Sequence, residues 1–264
     1  MKSFPILGTI GWLLSAQYCF SENNFSEYKN LLRLFSVNEP RPVISNIASG
    51  FGAYKGQLYF AVSYSDLDLQ TSRDTKDNDG SLGFGFGLGD PVKSLGLDTT
   101  VGVTSVSTKY WGDGNFGDEG NISFKIHKRV NSVLGGRLAS IGIGSSNAIG
   151  WGSTVENPSN NYFAYSEQSS FGDFKQYGIA YSFGYGTSVS DTETTGDMFG
   201  GLALAYDNYS VSISNIGRET HLSGTWFMPF LSGTSLTFSR ADAFEKLESS
   251  RNIVTLSYAT TLKN

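Results

Sequence analysis

Cysteine, histidine and charge are all scarce in this chain, and each shortage removes a class of function. Cys19 is the single cysteine, so neither a disulfide framework nor a cluster of thiolate metal ligands is available. The formal net charge is -5, and no basic tract or finger spacing occurs that would point to nucleic acid. Charged residues make up only 16% of the chain against 14% aromatic, a balance foreign to a soluble α/β enzyme. Long apolar runs are missing too: Phe4 to Leu14 falls short of the roughly 18 apolar residues that a membrane-spanning helix needs. There is no P-loop, zinc spacing or cysteine nucleophile, and neither a cofactor nor a metal is predicted. Asp74, Asp77 and Asp79 superficially suggest a calcium loop, but the glutamate that closes such a loop is missing, so a solvated loop is expected.

Glycine, by contrast, is abundant, with 32 residues, and it is patterned. Between residues 80 and 89, Leu82, Phe84, Phe86 and Leu88 alternate with Gly83, Gly85, Gly87 and Gly89. A period of two is that of an extended strand, here with one bulky face and one bare face. No helix follows, which excludes a dinucleotide-binding fingerprint. Glycine packs nothing and costs backbone entropy, so the environment rather than local propensity must hold this strand. In a soluble two-layer sandwich the bulky face would be core. In a transmembrane barrel it would face lipid and the glycines would face the lumen.

The amino terminus has the form of an export signal, with Lys2, the apolar run to Leu14, and Ser15, Ala16, Cys19 and Ser21 as small residues for cleavage. Residues 1–21 are therefore expected to be removed, and Cys19 with them. In residues 24–37, Phe25, Tyr28, Leu32 and Phe35 recur at helical spacing, which predicts a short helix, either a periplasmic lead-in or a plug in the lumen. Pro40 and Pro42 end it, so residues 22–50 read as helix and linker ahead of a barrel domain over 51–264.

Beyond the linker one unit repeats, a stretch of roughly ten alternating residues, about what a tilted strand needs to cross a bilayer. The stretches are Gln57–Ser65, the Gly-Phe strand, Leu97–Ser107, Asn121–Val130, Arg137–Gly144, Asn161–Ser166, Lys175–Tyr185, Met198–Asp207, Tyr209–Ser214, Glu219–Phe227, Thr234–Ser239 and Asn252–Leu262. They predict an all-β, antiparallel, up-and-down barrel of about twelve strands. Their connections alternate long and short, the long ones being Asp66–Asp79, Thr108–Glu119, Ser145–Asn160, Thr187–Asp197 and Arg240–Ser250. The short ones are Asp90–Gly96, Asn131-Ser132, Glu167–Asp173, Asp207-Asn208 and Pro229–Gly233, and only Asn215–Arg218 is short where the rhythm asks for length. One face of the strands is bulky, as in Leu82, Phe84, Phe86 and Leu88 or Tyr177, Ile179, Tyr181 and Phe183, which are expected to face lipid. The other is mostly Gly, Ala, Ser and Thr, better suited to a lumen than to a packed core. Tyr64, Tyr110, Trp111, Tyr185, Tyr206, Tyr209 and Trp226 fall near strand ends, where aromatic residues anchor a barrel at the membrane interface.

In its leader, its alternating strands such as Leu82–Leu88 and Tyr177–Tyr185, and its loop rhythm, the chain resembles the porin-like bacterial outer-membrane β-barrels over roughly residues 55–262. The resemblance implies an outer-membrane location, passive transport of small solutes, and membrane lipids and the barrel-assembly machinery as partners, with an oligomer possible. Such barrels usually end on an aromatic residue, whereas this chain ends in Thr261, Leu262, Lys263 and Asn264.

Two stretches carry chemistry. Opposite Ile122, Phe124 and Ile126, one strand face holds Ser123, Lys125, His127 and Arg129, a row that would draw anions into a lumen unless inward carboxylates such as Glu219 or Asp207 brace it. On another strand Glu219, His221 and Ser223 share a face, resembling the His-x-Ser pair of outer-membrane acyl hydrolases, though Gly224 stands where an Asn follows the serine in those enzymes. The leading expectation is a channel for small polar or anionic solutes and no enzyme. The alternatives are a structural or adhesive barrel with a closed lumen and a lipid hydrolase using His221 and Ser223.

Overall fold

Alternation along the chain becomes a single closed sheet in the computed structural model, which describes residues 43–65, 79–103, 116–135, 138–156, 158–171, 177–188, 196–217, 219–244 and 250–262. The expected leader (1–21) and helix (24–37) lie outside the described residues. Twelve strands follow in chain order: β1 (Gln57–Ser65), β2 (Asp79–Gly89), β3 (Gly96–Val103), β4 (Gly120–Val130), β5 (Leu138–Trp151), β6 (Asn160–Phe171), β7 (Tyr177–Gly186), β8 (Asp197–Tyr206), β9 (Tyr209–Ile216), β10 (Glu219–Phe227), β11 (Thr234–Ala241) and β12 (Arg251–Thr261). Each pairs antiparallel with its neighbours in sequence, and β12 returns to β1, from Gln57 opposite Thr261 to Ser65 opposite Ile253. The sandwich alternative is thereby overturned, because a closed sheet has no second layer against which to pack its bulky face.

Two strands run at least five residues further than the side-chain pattern implies. β5 continues through residues 145–151, where a long loop was expected, across a register shift opposite Ile122 and Phe124. At this bulge Asn147 takes a φ of 51°, and its N–H donates to Ser123 Oγ at 3.1 Å. A single 3-10 turn, Gly152–Glu156, follows. β6 runs to Phe171 in place of a short connection from Glu167, because Gln168, Ser169 and Ser170 pair with Ala180, Ile179 and Gly178 of β7 despite their polarity. The β9–β10 turn is tight, with Ile216 opposite Glu219 and Gly217 at a φ of 56°.

Ahead of β1, residues 43–54 lie within the barrel rather than below it. Val43 meets Ser210 on β9, and Asn46 meets His221 on β10. Ala48 and Gly50 meet Ser182 and Ser166 on β7 and β6, and Ala53 meets His127 on β4. The segment is thus an arch that crosses the lumen before entering β1. Its Ile44, Ile47 and Ala48 join Tyr162, Ala164, Ala180, Phe199, Ala203 and Ile216 from the wall in one buried cluster. Burying a side chain the size of Ile47 stabilises by about 1.5–3 kcal/mol.

The bare face of β2 is explained by what approaches it. The Tyr59 ring lies over Gly85, where a Cβ would collide with it, and the backbone of Ala53 and Tyr54 lies over Gly87 in the same way. Valine at position 85 would raise local strand propensity by at most about 1 kcal/mol. Overpacking against the ring costs about 1–3 kcal/mol, so the clash wins. Gly85→Val is accordingly expected to lower the urea midpoint of the refolded barrel, followed by its heat-dependent gel shift. Gly224→Ala, where a Cβ meets open space, should change it by no more than about 0.5 kcal/mol.

Candidate functional site

The candidate site is the inner wall of the barrel. Period-two alternation points Ser123, Lys125 and His127 of β4 inward, and all three are buried. Register then sets their partners. β3 places Asp98 directly opposite Lys125, and the two side chains approach to 3.3 Å. Tyr59 reaches across from β1 to donate to Asp98 Oδ1 at 2.7 Å, and its hydroxyl also contacts that of Thr100. The acidic partner of the row is therefore Asp98. Asp207 sits exposed in the β8–β9 turn and Glu219 serves His221, so neither plays the part that the sequence suggested.

His127 donates from Nε2 to the Ala53 carbonyl of the arch at 2.9 Å. Ser123 Oγ accepts from Asn147 N–H and lies 3.4 Å from Asn121 Oδ1. Arg129 is half-buried at the end of the row, where its backbone N–H donates to the Pro91 carbonyl at 2.9 Å.

On β10, Glu219 and His221 also point inward, with Glu219 Oε2 3.0 Å from His221 Nε2. Nδ1 of the same ring lies 3.1 Å from Asn46 Nδ2, and the amide is the donor when the ring proton faces Glu219. Nε2 thus faces Glu219 and Nδ1 faces Asn46, neither in hydrogen-bond contact with Ser223, whose hydroxyl instead lies 2.6 Å from that of Ser212. The geometry lacks the imidazole–serine contact that a hydrolase requires. The site faces the lumen, away from any lipid substrate.

The remaining partners of the arch are serines that carried no signal of their own. Ser210 and Ser212 accept from the N–H groups of Val43 and Ser45, Ser214 and Ser182 donate to the carbonyls of Ser45 and Ala48, and Ser166 accepts from Gly50. A row of hydroxyls along one strand face is the signal that could have flagged a wall built to hold another backbone. Both histidines of the chain touch the arch, at its two ends.

The outer wall is its opposite. Leu82, Phe84, Phe86 and Leu88 of β2 and Tyr177, Ile179, Tyr181 and Phe183 of β7 all point outward, Phe84 being 45% and Phe183 46% exposed. Leu204, Val211, Ile213, Phe238 and Leu256 continue this surface over β8, β9, β11 and β12. An apolar belt carried around a closed barrel suits hydrocarbon and not water. At the end with the short turns, Phe171, Tyr177 and Tyr206 pack in sequence with ring centroids 5.4 and 5.2 Å apart, the first pair stacked and the second tilted, and Trp226 lies 5.9 Å from Phe230. Tyr64 and Tyr185 occupy the other end, while Tyr110 and Trp111 lie outside the described residues.

No protein-family model matches this sequence, and no curated protein does either. Among solved structures, the chain is similar to the KdgM porin, with 9% identity and a TM-score of 0.44 over 76% of this chain and 98% of that one. It is also similar to the COG4313 outer membrane channel from Pseudomonas putida F1, at 11% identity and a TM-score of 0.40 over 78% and 96% of the two chains. The Acinetobacter baumannii outer membrane protein Omp33 follows at 8% and 0.41, over 77% and 98%. The chain itself is one closed, antiparallel, up-and-down sheet of twelve strands.

The ion pair at the centre of the row is open to direct measurement. Lys125→Met leaves Asp98 buried without its cation and is expected to destabilise the refolded barrel by about 3–5 kcal/mol. Adding Asp98→Asn, which removes the orphaned charge while keeping an acceptor for Tyr59, should recover most of that loss in urea titrations.

Proposed function

We propose that this protein spans the outer membrane as a channel for small polar solutes, with residues 43–54 as the element that closes it. One observation carries the reading: apart from a few larger residues such as Tyr59, Tyr162, Phe199 and the Lys125–His127 row, the wall is made of small hydroxyl-bearing, alanine and glycine residues, and a separate backbone fills much of the space they leave. A barrel of eight strands can fill its interior with its own side chains, and a wider one leaves room for a lumen or a plug. A barrel meant only as a scaffold has no need of the extra circumference.

In this reading the hydroxyls that hold the arch are those that solutes meet when it moves aside. Lys125, His127 and Arg129 line the path, and Asp98 offsets the Lys125 charge, so any preference for anions is weak. Lipids contact the outer belt, and the expected leader accounts for delivery to the membrane. The second reading, a structural or adhesive barrel with a permanently closed lumen, is favoured by the buried cluster around Ile44 and Ile47.

Planar-bilayer conductance separates the two. Ile47→Ala removes apolar contacts that hold the arch and nothing from the wall, at a cost of about 2–5 kcal/mol if the closed state alone loses them. A loss of even 2 kcal/mol raises the open fraction about thirtyfold. Rare openings in the native chain and frequent ones in the variant support the channel. Folded protein that shows no steps in either form, or in a chain lacking residues 43–54, would leave the scaffold reading.

A further inference from the structure

A carboxylate on the outer wall is out of place, and Glu167 is one. Its register partners are Ala139 on β5 and Tyr181 on β7, which puts it on the same outward face as Tyr165, Phe183 and Ile141. Yet it is 0% exposed. The β4–β5 turn covers it: Ser132 donates its hydroxyl to Oε1, and the N–H groups of Val133 and Leu134 point to Oε2 at 3.1 and 3.2 Å. Tyr165 donates its hydroxyl to the same Oε2 and also accepts from Val133 N–H at 3.1 Å. The turn therefore lies against the outside of β6 rather than hanging below the barrel, and it seals Ala139, 1% exposed, beneath it. Its own outer surface is Val133, 76% exposed, and Leu134, 65% exposed.

We infer that this turn is a membrane-interface anchor: Val133 and Leu134 insert among the lipids of the leaflet at the short-turn end, and Glu167 makes that insertion tolerable. The inference rests on the membrane-spanning reading above. Irregular backbone is excluded from lipid because each unmet N–H there costs several kcal/mol. Here the N–H groups that would be stranded are those a buried carboxylate accepts. The carboxylate, in turn, is on the outer wall only because the turn shields it. Neither half makes sense in water, where solvent would satisfy both and an exposed Val-Leu pair would gain nothing. The occupant is lipid rather than a second protein because the turn packs on the buried Tyr165, and that ring packs on Phe183 of the apolar belt with centroids 5.1 Å apart, which sets the Val-Leu pair beside the belt.

The test uses the full chain carrying Cys19→Ser, refolded into phosphatidylcholine vesicles, with an environment-sensitive fluorophore on one introduced cysteine. Val133→Cys reads the turn, Phe84→Cys reads the barrel belt, and Lys93→Cys reads an exposed neighbouring turn at the same end. Lipids carrying a shallow nitroxide are expected to quench the label at 133 about twofold more than at 93, as for a side chain seated about 5–10 Å into the interface. Glu167→Leu should reverse that difference, moving the 133 label to iodide-accessible water while the 84 label stays lipid-quenched. Quenching at 84 together with an aqueous label at 133 in the native sequence overturns the anchor and leaves the barrel in its membrane. Aqueous labels at both sites overturn the membrane reading and the anchor with it. A 133 label shielded from iodide and nitroxide alike places a second copy of the chain on the patch and also overturns the proposal.

Discussion

Everything in this molecule depends on the ladder that joins the first strand to the last. With β1 paired along its length to β12, no strand among the described residues presents an unpaired edge, and the backbone is satisfied around the full circumference. That condition is what allows an outer surface of Phe84, Phe183, Val211 and Leu256 to sit in hydrocarbon, where an open edge would cost several kcal/mol per unmet group. Once the exterior is committed to apolar side chains, polar chemistry has only two places left: the lumen, and a few sites outside that must be sealed.

Inside, the same accounting of polar groups governs the arch. An extended segment without a strand partner would carry unmet N–H and carbonyl groups into a closed space, and the serines of β6, β7 and β9 meet those of Val43, Ser45, Ala48 and Gly50. Charges follow suit. Lys125 with Asp98, and His221 with Glu219, are cross-wall or same-strand pairs whose partners lie within 3.3 Å. A lone buried ion would cost several kcal/mol, far more than any single hydroxyl contact contributes, so pairing decides where these residues can stand. Outside, Glu167 and the β4–β5 turn solve the mirror-image problem, each supplying what the other lacks.

Much of the fold was legible because a strand's side chains alternate strictly. Tyr177 to Tyr185 and Leu82 to Leu88 announce both that they are strands and which face is bulky, and neither statement needs a partner. The pattern failed where pairing overrode it. β6 continues through Gln168, Ser169 and Ser170 because β7 offers backbone partners there, and β5 continues past Gly144 through a bulge that breaks the visible repeat. Within the site, Lys125 and His127 were visible as an inward row. Asp98 was not singled out, since a solitary inward aspartate gains meaning only when β3 and β4 are set in register.

The order of residues by itself determined the class of structure, the approximate strands and the division into a bulky and a small face, because alternation is a local property that each strand carries alone. What fills the space behind the small face was decided only in three dimensions. Val43 meets Ser210 across a separation of 167 residues, and nothing in either neighbourhood names the other. Closure of the sheet brings them together, and so turns a row of ordinary serines into a seat for the chain's own backbone.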